Sequence, residues 1–295
     1  MVRRIEWPTV VVAAVIHVAW LSAVFGHRVL PWWASVALLG VIGAWFGSLQ
    51  HEVIHRHPTP WSRVNRLTVP LPLTVWVNFD RYRISHLTHH ASDLTTPGAD
   101  PESFYLTSEC WERANPVMRR LCWINRTLVG RLIIGPWWSM IGYGRGEFAS
   151  CRRSDATRRQ WAVHLVGLTV TMVIVHASRM PLWEYLVGMG YVAMSLTMLR
   201  SFAEHRAIDG PNRSAAIRSG GFFGILFLHN NLHNTHHAAP AAPWYELPRL
   251  HARMGSDEIA AAGAGWYRSY GELMWRFALR PFCQPEHPLV AVGEG

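Results

Sequence analysis

The chain has 295 residues, of which 50% are hydrophobic and 16% charged, against roughly 25% charged in an ordinary soluble domain. With a mean hydropathy of +0.07, this balance excludes disorder, a collagen-like fibre and a disulfide scaffold, and points to a membrane protein with a substantial water-facing part. All 28 basic residues are arginine and the net charge is +9; with no zinc finger, RNA-binding signature or dense basic run, a basic membrane face or an acidic protein partner fits better than nucleic acid.

In chain order, four stretches are long and apolar enough to cross a bilayer at about 1.5 Å per residue. They cover about residues 9–26, 29–49, 161–178 and 181–199. No small-residue cleavage site precedes the second of them, so the first reads as a span and not as a signal peptide. The connectors within each pair are only His27-Arg28 and Arg179-Met180, which predicts two antiparallel helical hairpins. Arg28 and Arg179 are the only arginines there. The remaining arginines lie in the N-terminus, the 50–160 region and from Arg200 onward, and the positive-inside rule places those parts, with both termini, on the cytoplasmic side of what reads as a bacterial inner membrane. Residues 67–77 are apolar but too short to span and suit an interfacial or re-entrant segment. Residues 115–143 read as an interfacial amphipathic helix, 221–228 as a short apolar stretch, and 256–279 as an amphipathic helix. The expected fold is all-α: one integral-membrane domain over 1–295, with a cytoplasmic helical cap from about 50–160 and 200–283 and a loose tail over 284–295. Cys110, Cys122, Cys151 and Cys283 show no C-x-x-C spacing and read as free thiols.

Seventeen histidines are the anomaly. His51-Glu52-Val53-Ile54-His55 falls where the second span should leave the membrane, and residues four apart share a helix face. His86-Leu87-Thr88-His89-His90 follows, and His233-Asn234-Thr235-His236-His237 repeats its H-x-x-H-H pattern. His205 stands where the fourth span should emerge, and His229 lies one turn before His233. Without His229 these make nine imidazoles, far more than the roughly four ligands of one zinc ion. Two metals with open positions would use them, and the count together with the membrane setting favours iron over copper, nickel or zinc. Candidates to accept a hydrogen bond from the outer ring nitrogens, and so fix the tautomer, are Glu52, Asp80, Asp93, Asp100, Glu204 and Asn230, with His229 nearby. His27, His57, His251 and His287 read as surface residues, and His17, His164 and His176 as bundle-facing residues hydrogen-bonded across helices. Most tryptophans, among them Trp7, Trp32, Trp33 and Trp183, read as interface anchors. Trp76, Trp111 and Trp244 are candidates to line a substrate passage.

The three boxes in this order, with each hairpin followed by a cytoplasmic histidine-rich stretch, resemble the integral-membrane fatty acid desaturase superfamily over about residues 29–250. Asp80-Arg81-Tyr82-Arg83-Ile84-Ser85 before the second box, Asp100-Pro101-Glu102 after it, Glu204-His205-Arg206, and Pro240 and Pro243-Trp244-Tyr245 after the third box carry the same resemblance. It implies a centre of two iron ions held by His51, His55, His86, His89, His90, His205, His233, His236 and His237, with O₂ as co-substrate. It also implies introduction of a carbon–carbon double bond into a fatty acyl or lipid-like chain. No His-Pro-Gly-Gly motif of a fused cytochrome b5 is present, so the expected electron donor is a separate ferredoxin-like or cytochrome b5-like protein on the cytoplasmic face. Two alternatives stay open at this point. The same site could desaturate or hydroxylate a smaller specialised metabolite, such as an amino-acid-derived one. In another class, His51-Glu52-x-x-His55 is also the zincin motif, with glutamate as general base of an intramembrane protease.

Overall fold

The computed structural model of the chain describes residues 5–289. It is mostly helical, and six helices matter for the site: α1 (Trp7–Phe25), α2 (Trp32–Ile54), α3 (Phe79–Ala91), α4 (Asp155–Ala177), α5 (Leu182–Ser201) and α6 (His233–Ala238). Among the described residues the strands are β1 (Ala216–Ile217) and β2 (Trp266–Tyr267), a two-residue parallel pair in which Ala216 faces Trp266. The chain divides into two compact units. One contains the chain up to Ile84 together with Pro136–Thr197, and the other Ser85–Gly135 together with the chain from Met198 onward.

The first unit contains α1, α2, α4 and most of α5, the four helices long and apolar enough to cross a membrane. Pro8 starts α1, where a missing N–H costs nothing, and Ser154 caps α4 by accepting from the Thr157 N–H. The helix α2 runs to Ile54, five residues beyond the expected end of its span, so that His51 lies inside the helix and His55 caps it. The helix α5 widens to a π-helical stretch over Leu186–Val192 and packs closely on α2. A Cβ on Gly40 would lie 2.2 Å from the Val192 side chain, and one on Gly188 2.6 Å from Leu39 Cβ, so only glycine permits this approach. Residues 67–77 form turns rather than a helix. They are tied to the bundle by the fully buried Tyr185, whose hydroxyl donates to the Leu73 carbonyl (2.8 Å) and accepts from Trp20 Nε1 (3.2 Å). Val11, Val15 and Val18 on α1, and Val163, Val166, Val170 and Val173 on α4, are exposed, as a lipid-facing stripe requires. Trp7, Trp32, Trp33 and Trp183 are exposed at or beside the ends of these helices, where aromatic anchors belong.

Two expected helices are broken. Residues 115–143 form three helices, Pro116–Asn125, Leu128–Ile133 and Gly135–Arg153, because Thr127 starts a new turn by accepting from the Gly130 N–H and Gly130 lies under the Ile124 carbonyl. Residues 256–279 form a helix Ser256–Ala261, strand β2 and a helix Tyr270–Phe277. The break follows from Gly263 and Gly265: a Cβ on the first would lie 2.2 Å from the Asn212 carbonyl, and the second has φ 132°, which L side chains rarely adopt.

Candidate metal centre

The first histidine box belongs to the first unit. The i, i+4 spacing at the end of α2 brings the His51 and His55 rings to 4.8 Å between centroids. Both are buried, as is Glu52, whose carboxylate lies 3.9 Å from His51 Nδ1.

The second unit holds the other seven imidazoles: His86, His89 and His90 in α3, His233, His236 and His237 in α6, and His205. Their Nε2 atoms converge. His86 and His90 approach to 3.1 Å, His90 and His236 to 3.1 Å, His89 and His237 to 3.3 Å, His237 and His233 to 3.1 Å, and His233 and His205 to 2.9 Å. In His89, His205, His233 and His237, one ligand nitrogen from each lies within 4.8 Å of all the others, and the same holds among His86, His90 and His236. The opposite ring nitrogens are committed elsewhere. His89 Nδ1 donates to Asp100 (2.7 Å), His86 Nδ1 to Glu102 (3.1 Å) and His233 Nδ1 to the Asn230 side-chain oxygen (3.1 Å), and His205 Nδ1 lies 3.2 Å from Ser214 Oγ. With the proton fixed on Nδ1 by these acceptors, the Nε2 atoms of His86, His89 and His233 present lone pairs toward the cluster, the form in which an imidazole ligates a cation.

Electrostatics point the same way. Burial, reinforced by the neighbouring His86 and His89, lowers His90 to about 3. Burial and His89 lower His205 to about 3, and burial with neighbouring imidazoles holds His233 and His237 well below their usual range. These four rings are therefore neutral at pH 7, the form that ligates metal. His89 is the exception: burial lowers it, but the hydrogen bond to Asp100 and the charges of Glu102, Asp100 and Glu204 raise it above its usual value. Burial lifts Glu204 to about 7 against the pull of Arg200, 3.4 Å away. The donor set fits two divalent cations, with carboxylates behind the imidazoles and not among them.

Of the expected outer partners, Asp100 and Asn230 hold a box histidine directly, and Glu204 lies 3.5 Å from His233 Nδ1. Asp80 instead pairs with Arg66 at 3.9 Å, and Asp93 is exposed and bound to Arg213. His229 is not grouped with the ligand nitrogens; it stacks on Trp244, ring centroids 5.9 Å apart. Glu102 and Ser214 were not among the expected partners, although an acid two residues after Asp100 was a visible signal. His27, His57, His251 and His287 are not surface residues, with exposures of 7, 1, 8 and 3%. Each of the last three found a partner that spacing could not reveal: His57 a carboxylate of Glu6 (2.8 Å), His251 that of Asp257 (2.7 Å) and His287 the Thr95 hydroxyl (3.2 Å). His164 bonds the Val75 carbonyl (2.8 Å). Of the three tryptophans expected along a passage, Trp76 lines a cavity of about 480 Å³ in the first unit, with Val75, Trp137, Met140, Leu186 and Tyr191. Trp111 lies against Arg119 instead.

The model of the family described as fatty acid desaturase matches residues 27–271, which takes in all three boxes and His205. Among curated proteins no match is found. With a match across most of its length, four helices able to cross a bilayer and clustered histidines, the chain belongs to the fatty acid desaturase family, a family of membrane oxidoreductases.

Proposed function

We propose that the chain is an O₂-dependent di-iron desaturase that forms a carbon–carbon double bond in a fatty acyl or lipid-like substrate. In this reading the nine histidines serve two irons, with His89, His205, His233 and His237 on one and His86, His90 and His236 among the ligands of the other. The observation that carries it is the convergence of Nε2 atoms in the second unit, with the Nδ1 protons of His86, His89 and His233 turned outward. Two bound irons supply what no side chain can, activation of O₂ for attack on an unactivated C–H bond.

The chain's own groups do the rest. Asp100, Glu102 and Asn230 each hold an Nδ1 proton and so aim a ring and raise its basicity. Burial of His89, His233 and His236, each at most 3% exposed, keeps bulk water from the ligands. The apolar cavity beside Trp76 supports an apolar chain as substrate, since it offers almost no polar group to a small metabolite. Two electrons and two protons come from outside for each double bond, and with two hydrogens of the substrate they reduce O₂ to water. The net charge of +9 favours an acidic ferredoxin-like or cytochrome b5-like donor. The helices α1 with α2 and α4 with α5 would form hairpins with their tips outside, leaving the boxes on the cytoplasmic side.

The test is the metal content of the detergent-purified protein, followed by lipid profiles of cells with and without it. Iron at about two per chain, lost in His89→Ala, with a new unsaturated lipid in expressing cells is the expected result. About one zinc per chain, kept in His89→Ala and lost in His55→Ala, would overturn it in favour of a zincin.

A further inference from the structure

Three of the nine proposed ligands sit on α6, a helix of six residues. Between His233 and His236 lies Thr235, fully buried, and its hydroxyl is 2.6 Å from His251 Nδ1. His251 Nε2 is in turn 2.7 Å from Asp257 Oδ1, and Trp266 Nε1 donates to the same oxygen at 2.5 Å. The proton assignments follow from the partners. Asp257 accepts from both rings, so His251 carries its proton on Nε2, its Nδ1 is an acceptor, and Thr235 donates to it. A ring with both nitrogens so engaged has none for a metal, which separates His251 from the nine. Beside this chain of bonds runs a second tie, from Asn234 Nδ2 to the Ser256 carbonyl at 2.7 Å. Both ties end on residues just past Gly255, whose left-handed φ of 60° turns the chain from the helix Leu247–Arg253 into Ser256–Ala261.

We propose that His251, oriented by Asp257 and Trp266, is a positioning residue for the metal centre: through the Thr235 hydroxyl it fixes the rotation of α6. Holding that rotation keeps His233 and His237 on one metal and His236 on the other. The proposal rests on the two-metal reading above and deepens it.

The experiment uses the full-length, detergent-purified protein loaded with cobalt(II). Its readouts are the cobalt absorption spectrum and the rate of metal release to a chelator, with monodispersity and thermal melting as checks of folding. Thr235→Val keeps the side-chain volume and removes the hydroxyl, whereas Thr235→Ser restores it. We expect release roughly ten-fold faster and an altered spectrum in Thr235→Val, wild-type behaviour in Thr235→Ser, and a change of the same sign in Asp257→Ala, which removes the acceptor of His251 Nε2 at a half-exposed position. Unchanged release and spectrum in Thr235→Val overturn the proposal; should that variant fail to fold, unchanged values in Asp257→Ala do so. A wild-type chain that takes up neither cobalt nor iron defeats the two-metal reading itself, a separate outcome.

Discussion

The first and third histidine boxes reach similar ring geometry by different routes. His51 and His55 end a 23-residue helix, and the backbone ladder of α2 fixes their relation before any neighbour is considered. The third box occupies six residues, and isolated helices below about 12–15 residues are marginal in water. Its orientation must come from contacts distant in sequence, and Asn234–Ser256 and Thr235–His251–Asp257 are among those contacts. A ligand on a long element is secured by local structure, whereas one on a short element is only as secure as what grips that element.

The largest effects should ignore this difference. His89→Ala and His236→Ala remove a ligand and should abolish turnover, with metal per chain falling when measured on the purified protein; wild-type turnover in either would end the oxidase reading. Next comes Asp100→Ala, which removes the acceptor of His89 Nδ1. It should weaken metal binding about 10–100-fold in chelator competition. The comparison itself is sharpened by a matched pair. His57 in the first unit has its own carboxylate, Glu6, at 2.8 Å. If α2 secures its box, Glu6→Ala should change metal release by less than about two-fold while Asp257→Ala changes it several-fold; equal effects would break the distinction. Glu52→Gln should keep metal and measurable turnover, whereas a zincin would lose all activity with its general base.

The smallest effect is one of pH. Hydrogen bonds from His251 and Trp266 outweigh partial burial and hold Asp257 below its usual range. A carboxylate lowered on folding stabilises fully above its unfolded value of about 3.9, and that contribution is lost as pH falls through the lower folded value. The thermal midpoint of metal-free protein should therefore fall more between pH 5 and about pH 3 in wild type than in Asp257→Asn. Since the carboxylate is half exposed, solvent screening keeps the difference small.

What could be read before the structure follows from which interactions leave a periodic trace. Four apolar stretches and two H-x-x-H-H repeats are local patterns, and each corresponds to helices of the expected kind. Asp100 was visible because it follows the second box closely, and Asn230 because it precedes the third by three residues. His57, His251 and His287 looked like surface residues because a lone histidine carries no periodicity, and their partners lie 51, 6 and 192 positions away. Asp257 is near His251 in sequence, but the reversal at Gly255 that joins them was hidden inside what looked like an approach to one continuous helix. That helix failed for a similar reason. Its apolar spacing was helical, but Gly263 had to pass beneath the Asn212 carbonyl, a demand set by a segment about fifty residues earlier in the chain.

The donor set has a consequence for handling the protein. Both proposed sites are lined by imidazole nitrogen, with every carboxylate held behind. Nitrogen donors bind copper and zinc more tightly than ferrous iron, and a hard oxygen ligand that would narrow the choice is missing from the inner ring. The occupant is then decided by supply during synthesis, not by the protein's own discrimination. Cultures rich in zinc and poor in iron should yield well-folded, inert material, and nickel affinity resins are a contamination hazard. Iron-replete growth, with tag removal or a metal-free affinity step, is the preparation this chemistry calls for.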